Sequence, residues 1–355
     1  MLQEDARNMA ILVTGAAGLL GAALTAALYA RGTTVIALVH RTAEIRNNAG
    51  EAVLASACDP SSAPSGIQVV QGDVRKPGLG LDSAMRDWLE RHVTAIVHCA
   101  ALVRFEAAWD ELHAVNVTGT RHVAQLCPSA RFIHVSTAYV CGLTDGPIAE
   151  APCNPEGPFG NHYERSKAVA ETCLREQRPG AVIARPSIIV GEAASGRIRS
   201  FDTIYRAFKF IAEGKVTAVP ALPAATLNFV PIDHVVDAIA ALVDHPCSDG
   251  KFVHLAARKA VPAQRFLNLI GTVPGLQSPR ILGPEPVEEA RASVAERLAR
   301  PYWGYFQRHP DFTTGALAEL TGMAAPAIDD AALLRQIAFC VAAGFIRPRT
   351  LRADR

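Results

Sequence analysis

The sequence predicts an α/β protein: a Rossmann-like, doubly wound parallel sheet followed by a smaller, mainly helical C-terminal substrate region. Three observations predict it. Through the first half of the 355 residues, short apolar runs alternate with longer amphipathic stretches, the pattern of βαβ units. The first run ends in T-G-A-A-G-L-L-G, Thr14 to Gly21, the spacing of a strand that turns tightly into a helix beside a phosphate. After about Gly191 the alternation fades. The expected division is therefore 9–190, a dinucleotide-binding half carrying the reactive residues, and 191–355, a substrate-binding region with a helical cap.

The expected strands are Ala10–Thr14, Thr34–Val39, Ile67–Gln71, Ala95–Cys99, Arg131–Ser136 and Ala181–Arg185. The helix after Gly18 is rich in Ala and Leu and stops near Arg31-Gly32, while Asp59–Gly66, rich in Pro and Ser, is a surface loop. Ser195-Gly196 opens a mobile loop, a helical pattern follows from Phe201, and N-F-V-P-I-D leads into a helix over Asp233–Val243. From about residue 280 the chain reads as mainly helical and polar-faced.

Composition excludes several classes. With 35 basic and 34 acidic residues the chain lacks the basic footprint of a general nucleic-acid binder. No apolar run approaches the ~18 residues of a membrane span, and the polar start M-L-Q-E-D-A-R-N is not a signal peptide. The eight cysteines form no C-x-x-C pair or zinc spacing, so they are expected reduced, with no metal site and a cytoplasmic location.

The glycines divide the work of the cofactor turn. Gly15 permits the turn, Gly18 lets the backbone approach the phosphates, and Gly21 allows close helix–strand packing. Cofactor choice is set at the end of the second strand, where A-L-V-H-R-T carries no carboxylate but His40 and Arg41, with Arg46 beyond. A guanidinium suits a 2′-phosphate, which favours NADP(H) over NAD. Asp73, in V-V-Q-G-D-V, is suited to accept from the adenine amino group.

Y-E-R-S-K places Tyr163 and Lys167 four apart on one helical face. Tyrosine ionises near ~10, so Lys167 is expected to favour its anion and to hold the nicotinamide ribose. Tyr163 then passes a proton to the oxygen of a carbonyl receiving hydride, while Thr137, after Ser136, hydrogen-bonds the same oxygen. Asn116, in A-V-N-V-T-G-T, is suited to hold a relay water.

This order of motifs resembles the extended short-chain dehydrogenase/reductases. V-V-Q-G-D-V-R-K-P-G-L-G-L and H-C-A-A-L-V-R-F-E-A-A-W-D-E-L-H-A-V-N-V-T-G-T resemble the fatty acyl-CoA reductase (male-sterility) and thioester reductase group, as do H-V-S-T-A-Y-V, R-P-S-I-I-V-G-E and N-F-V-P-I-D-H-V-V-D-A-I. Y-W-G-Y-F-Q-R-H-P-D-F and A-I-D-D-A-A-L-L resemble, in shortened form, the group's C-terminal helical module. The resemblance implies Thr137, Tyr163 and Lys167 as the catalytic set, supported by Asn116. It implies cofactor contacts from Thr14, Gly15, Ala17, Gly18, Leu19, Gly21, His40, Arg41, Asp73, Val74, Ala100, Ala101, Lys167 and Pro186. Substrate contacts would come from Val103, Phe105, Ser136, Ser187 and Arg197.

The implied reaction is NADPH-dependent reduction of an acyl-CoA, or of an acyl chain on a carrier protein's phosphopantetheine arm, to an aldehyde and, with a second hydride, an alcohol. Arg197, Arg199, Arg206 and Lys209, interleaved with aromatics, suggest a basic rim for the pantetheine phosphate or carrier, and helices flanking Tyr163 suit a homodimer. The alternatives are another extended reductase acting on a sterol, ketone or nucleotide sugar, and a non-catalytic NADP-binding scaffold.

Overall fold

The computed structural model of the protein describes residues 9–283 and 293–349. Eight parallel strands form its central sheet: β1 Ala10–Thr14, β2 Val35–Val39, β3 Ser56–Ala57, β4 Ile67–Gln71, β5 Val93–His98, β6 Arg131–Val135, β7 Val182–Pro186 and β8 Phe252–Leu255. Their order is β8-β7-β6-β5-β1-β2-β4-β3. The chain thus builds outward from β1 in one direction, returns, and builds outward from β5 in the other. The crevice between β1 and β5 is the switch point at which such sheets bind ligands.

Strands β1, β2 and β7 are buried at every residue, which explains their mainly apolar runs, with Arg185 of β7 paired to Glu171. Alternate residues serve opposite layers. Ile11 and Val13 pack with α1 (Leu19–Ala30) and α6 (Ile232–Asp244), through Leu24, Leu28, Val235 and Ile239. Leu12 packs on the other face with α2 (Ser83–His92), α3 and α4 (His162–Gln177), through Trp88, Val123 and Leu174. Helix α3 runs through Trp109–Leu112, a π turn at His113–Thr118, and Gly119–Ala124.

A third core lies over the carboxyl edge of the sheet. It gathers Tyr205 and Phe208 of α5 (Ile204–Ala212), Phe266 of α7 (Ala263–Ile270), Leu333 and Ile337 of α8 (Asp330–Ala342), and Tyr302, Tyr305 and Phe306. Among the described residues no helix is long and apolar enough to cross a membrane.

Three features depart from the sequence expectation. The sheet does not end with residue 190, because β8 pairs with β7 and returns the second region to the Rossmann layer. The mainly helical C-terminal region also carries short strand pairs that the sequence did not announce: Pro310–Phe312 pairs with Gly146–Ile148, and Ala218–Pro220 with Arg280–Leu282. The loop at Ser195-Gly196 is pinned rather than free, since a Cβ on Gly196 would lie 2.5 Å from the Arg335 carbonyl of α8.

One ion pair fastens the third core to α4. Arg308 and Glu164 have side chains only 2% and 0% exposed. The guanidinium also donates to the Gly142 carbonyl at 2.9 Å and lies over the rings of Tyr139 and Tyr305. Removing one member of such a pair strands a buried charge. Arg308→Met is therefore expected to lower stability by about 3–5 kcal/mol, with Glu164→Gln/Arg308→Met recovering most of it in urea denaturation. A single variant as stable as wild type contradicts this account.

Candidate active site

The glycine turn closes on the loop after β5. Gly15 has φ +66°, and a Cβ there would lie 2.8 Å from Ala100 Cα. A Cβ on Gly21 would lie 2.3 Å from the Gly15 carbonyl oxygen. Gly18 caps α1 with no side chain over its first turn, so main-chain N–H groups at a positive helix end remain available to an anion. Ala17 and Leu19 are half-buried on this turn, with Ala100 and Ala101 on the facing loop. The cradle fits the pyrophosphate of a dinucleotide. Thr14 serves the frame: its Oγ1 lies 2.7 Å from His98 Nδ1 and accepts from Ala100 N at 3.2 Å, stitching β1 to β5.

At the adenosine end, His40 and Arg41 follow β2 and are exposed. Asp73 is already engaged by Arg75, whose Nε and Nη2 donate to the carboxylate at 2.9 and 2.8 Å, and Arg75 holds its pKa down to about 2. Arg75 was not anticipated from the sequence, although its place two residues after Asp73 suits a local turn. Val74 is half-buried, its carbonyl 2.9 Å from His122 Nδ1. The turn Pro77–Gly80 holds this loop: Leu79, at φ +60°, buries its side chain, and its carbonyl accepts from Asp73 N.

The residues expected to react lie just after β6 and in the first turns of α4. Thr137 follows β6, and its Oγ1 accepts from Tyr139 N at 3.3 Å, leaving its own proton free to donate. Ser136 is buried beside it, and its Oγ has no partner among the described residues. Asn161 caps α4 by accepting from Glu164 N, which puts Tyr163 in the first turn and Lys167 one turn later.

Lys167 Nζ donates to the Val135 carbonyl at 2.7 Å and sits 3.2 Å from His134 Nε2. Burial pushes its pKa down to about 8, against the pull of Glu171. Burial, then the Lys167 charge, pushes His98 down to about 3 and His134 well below its usual value, so both rings are neutral. Tyr163 behaves differently from the sequence expectation. Burial first, then the Glu164 charge, raises its pKa well above the ordinary value, the opposite of the lowering expected from Lys167. The phenol stays protonated at neutral pH and is available as an acid.

Asn116 lies in the π turn of α3 with its side chain spent on structure. Its Oδ1 accepts from Leu102 N at 2.8 Å, and its Nδ2 donates to the Leu102 carbonyl and to Ser166 Oγ. It locks the loop bearing Val103 and Phe105 to α4. Phe105 stacks on Tyr163 at 5.7 Å between centroids and on Tyr305 at 5.6 Å. Beyond it opens a cleft of about 500 Å³ lined by Phe105, Phe159, Asn161, His162 and Arg165. Pro186 ends β7, and Ser187 Oγ donates to Asn228 Oδ1 at 2.8 Å.

The expected basic rim does not form one patch. Lys209 is spent on Glu213 and the Phe345 carbonyl, Arg199 turns to the glycine turn, and Arg197 and Arg206 stay exposed. Tyr302, Tyr305 and Arg308, none of them assigned a role from the sequence, complete the wall.

Gly21→Ala is expected to raise the Kd for a nicotinamide dinucleotide at least about tenfold in a fluorescence titration. Lys167 adds a pH effect. Its folded pKa of about 8 lies below the usual 10.5, so the buried ammonium costs stability below pH 8. As pH rises from 8 to 10.5 the folded protein releases a proton that the unfolded chain keeps, and stability rises. Urea midpoints across that window are expected to rise in wild type relative to Lys167→Met.

The chain matches the family described as Male sterility protein over residues 13–239. L-2-aminoadipate reductase large subunit of Penicillium chrysogenum is 28% identical over 74% of this chain, but the chain spans only 20% of that relative. Sterol demethylase protein B of Methylococcus capsulatus is 32% identical over 60% of this chain and 65% of its own length. Among solved structures, the terminal R domain from the myxalamid PKS-NRPS biosynthetic pathway superposes with a TM-score of 0.80 at 26% identity, covering 97% of this chain and 93% of that one. UDP-glucuronic acid 4-epimerase from Bacillus cereus shares the fold alone, at 17% identity and a TM-score of 0.67 over 94% of this chain and 99% of that one. The match across most of the sheet, with the glycine turn and the Tyr163–Lys167 helix inside it, means that this chain belongs to the male sterility protein family.

Proposed function

We propose that this protein reduces acyl thioesters, presented on coenzyme A or on a carrier protein's phosphopantetheine arm, with NADPH as reductant. The observation that carries the reading is a buried, protonated Tyr163 one helical turn before the buried Lys167, with Lys167 bonded to the Val135 carbonyl two residues before Thr137. NADPH, when bound over the glycine turn, would supply hydride for the carbonyl carbon. Tyr163 gives its proton to the carbonyl oxygen, and the Thr137 hydroxyl donates a hydrogen bond to the developing oxyanion. The resulting hemithioacetal collapses by breaking its C–S bond, which releases an aldehyde and a thiol. Lys167 holds positive charge near the reacting oxygen, and the Phe105, Tyr302 and Tyr305 wall excludes water. Exposed His40 and Arg41 after β2, where no carboxylate follows directly, support a 2′-phosphate. Likeness to the myxalamid R domain over nearly the whole chain supports a thioester substrate.

A second reading is favoured by the identity to sterol demethylase protein B: reduction of a ring ketone against the same aromatic wall. One experiment separates the two. NADPH oxidation is followed with acyl-CoAs, acyl-phosphopantetheine thioesters and a sterol ketone, with NADH in parallel and Tyr163→Phe as control. Thioester turnover that falls at least about 100-fold in the control supports the proposal, and product analysis separates aldehyde from alcohol. Turnover of the ketone alone supports the second reading.

A further inference from the structure

Arg199 was expected at a substrate rim, yet its guanidinium reaches the cofactor turn. Its Nη2 donates to the Ala17 carbonyl at 3.2 Å, one residue before the cap of α1. Its Nε is buried and has no partner among the described residues. Burial and the nearby Arg46 charge both disfavour the guanidinium, with Asp202 opposing. A guanidinium does not deprotonate in response, so an anion added beside it would be stabilised. One edge of a rigid donor fork is thus held by the turn, while its other donors stay free.

The position is built from a distance. Asn48 belongs to the short hairpin after β2, closed by the Arg46–Ala52 bridge, and is 9% exposed. Its Nδ2 donates to Glu192 Oε1 and to the Arg197 carbonyl, both at 2.9 Å, and its Oδ1 accepts from Arg199 N at 3.1 Å. One buried amide therefore fastens the loop carrying Arg199 to the adenosine side of the glycine turn.

We propose that Arg199 binds a phosphate oxygen of the dinucleotide lying over the Gly15–Gly18 turn, and that Asn48 is its positioning residue. This rests on the reading of the site as an NADPH site.

The test is direct titration of wild type, Arg199→Gln, Arg199→Lys, Asn48→Ala and the Asn48→Ala/Arg199→Gln double variant. NADPH and NADH are the probes, fluorescence is the readout, and unfolding midpoints are taken in parallel. Arg199→Gln is expected to raise the NADPH Kd at least about tenfold at an unchanged midpoint, with Arg199→Lys intermediate. A rise for NADPH alone assigns the contact to the 2′-phosphate, and an equal rise for NADH assigns it to the pyrophosphate. Asn48→Ala should weaken binding in the same direction, and the double variant should be no weaker than Arg199→Gln. Unchanged Kd values in Arg199→Gln overturn the Arg199 contact, and additive losses overturn the Asn48 role. Wild type that binds NADH but not NADPH removes the NADPH reading, while the NADH titrations still decide the Arg199 contact.

Discussion

The architecture depends on one constraint: α4 carries three buried ionisable groups, and each must meet compensation where it stands. Glu164, Lys167 and Glu171 fall on one face of the helix and are at most 2% exposed. Glu164 receives Arg308 from the C-terminal region, Lys167 receives the Val135 carbonyl from β6, and Glu171 receives Arg185 from β7. A buried charge without a partner is among the largest penalties a fold can carry. The three pairings therefore fix where α4 sits against the sheet and against the third core. Tyr163, one residue before Glu164, takes its position from them.

The same charges set the chemistry. Burial, and after it the Lys167 charge, keeps His98 and His134 neutral. Burial and Glu164 keep Tyr163 protonated. An acid that holds its proton until a carbonyl oxygen gains negative charge is suited to reduction rather than to the reverse oxidation. The aromatic stack from Tyr163 through Phe105 to Tyr305 extends this dry environment toward the cleft and makes the C-terminal region part of the active-site wall.

Loops at the carboxyl edge are held by single polar side chains. Asn116 ties the loop after β5 to α4, and Asn48 ties the hairpin after β2 to the loop after β7. A primary amide suits this work because it satisfies a donor and an acceptor on facing backbones at once. Both residues lie close to the reacting and cofactor groups without being spent on them.

The sequence by itself determined the sheet strands other than the short β3 and the late β8, the glycine turn and the Tyr163–Lys167 spacing. These follow from rules acting over a few residues: runs buried on both faces, a turn that only Gly15 permits, and helical periodicity. Strand β8 was missed because a four-residue run interrupted by His254 does not announce a sheet partner, and β3 because it is two residues long and exposed. Only the tertiary structure decided which charge meets which. Glu164 and Arg308 stand 144 residues apart, and Asn48 and Arg199 stand 151 apart. Arginine looks alike in sequence whether it lies on a solvated face, in a buried pair or over a phosphate turn. Burial and the arrival of a distant partner decide among these, and both appear only when the chain closes on itself.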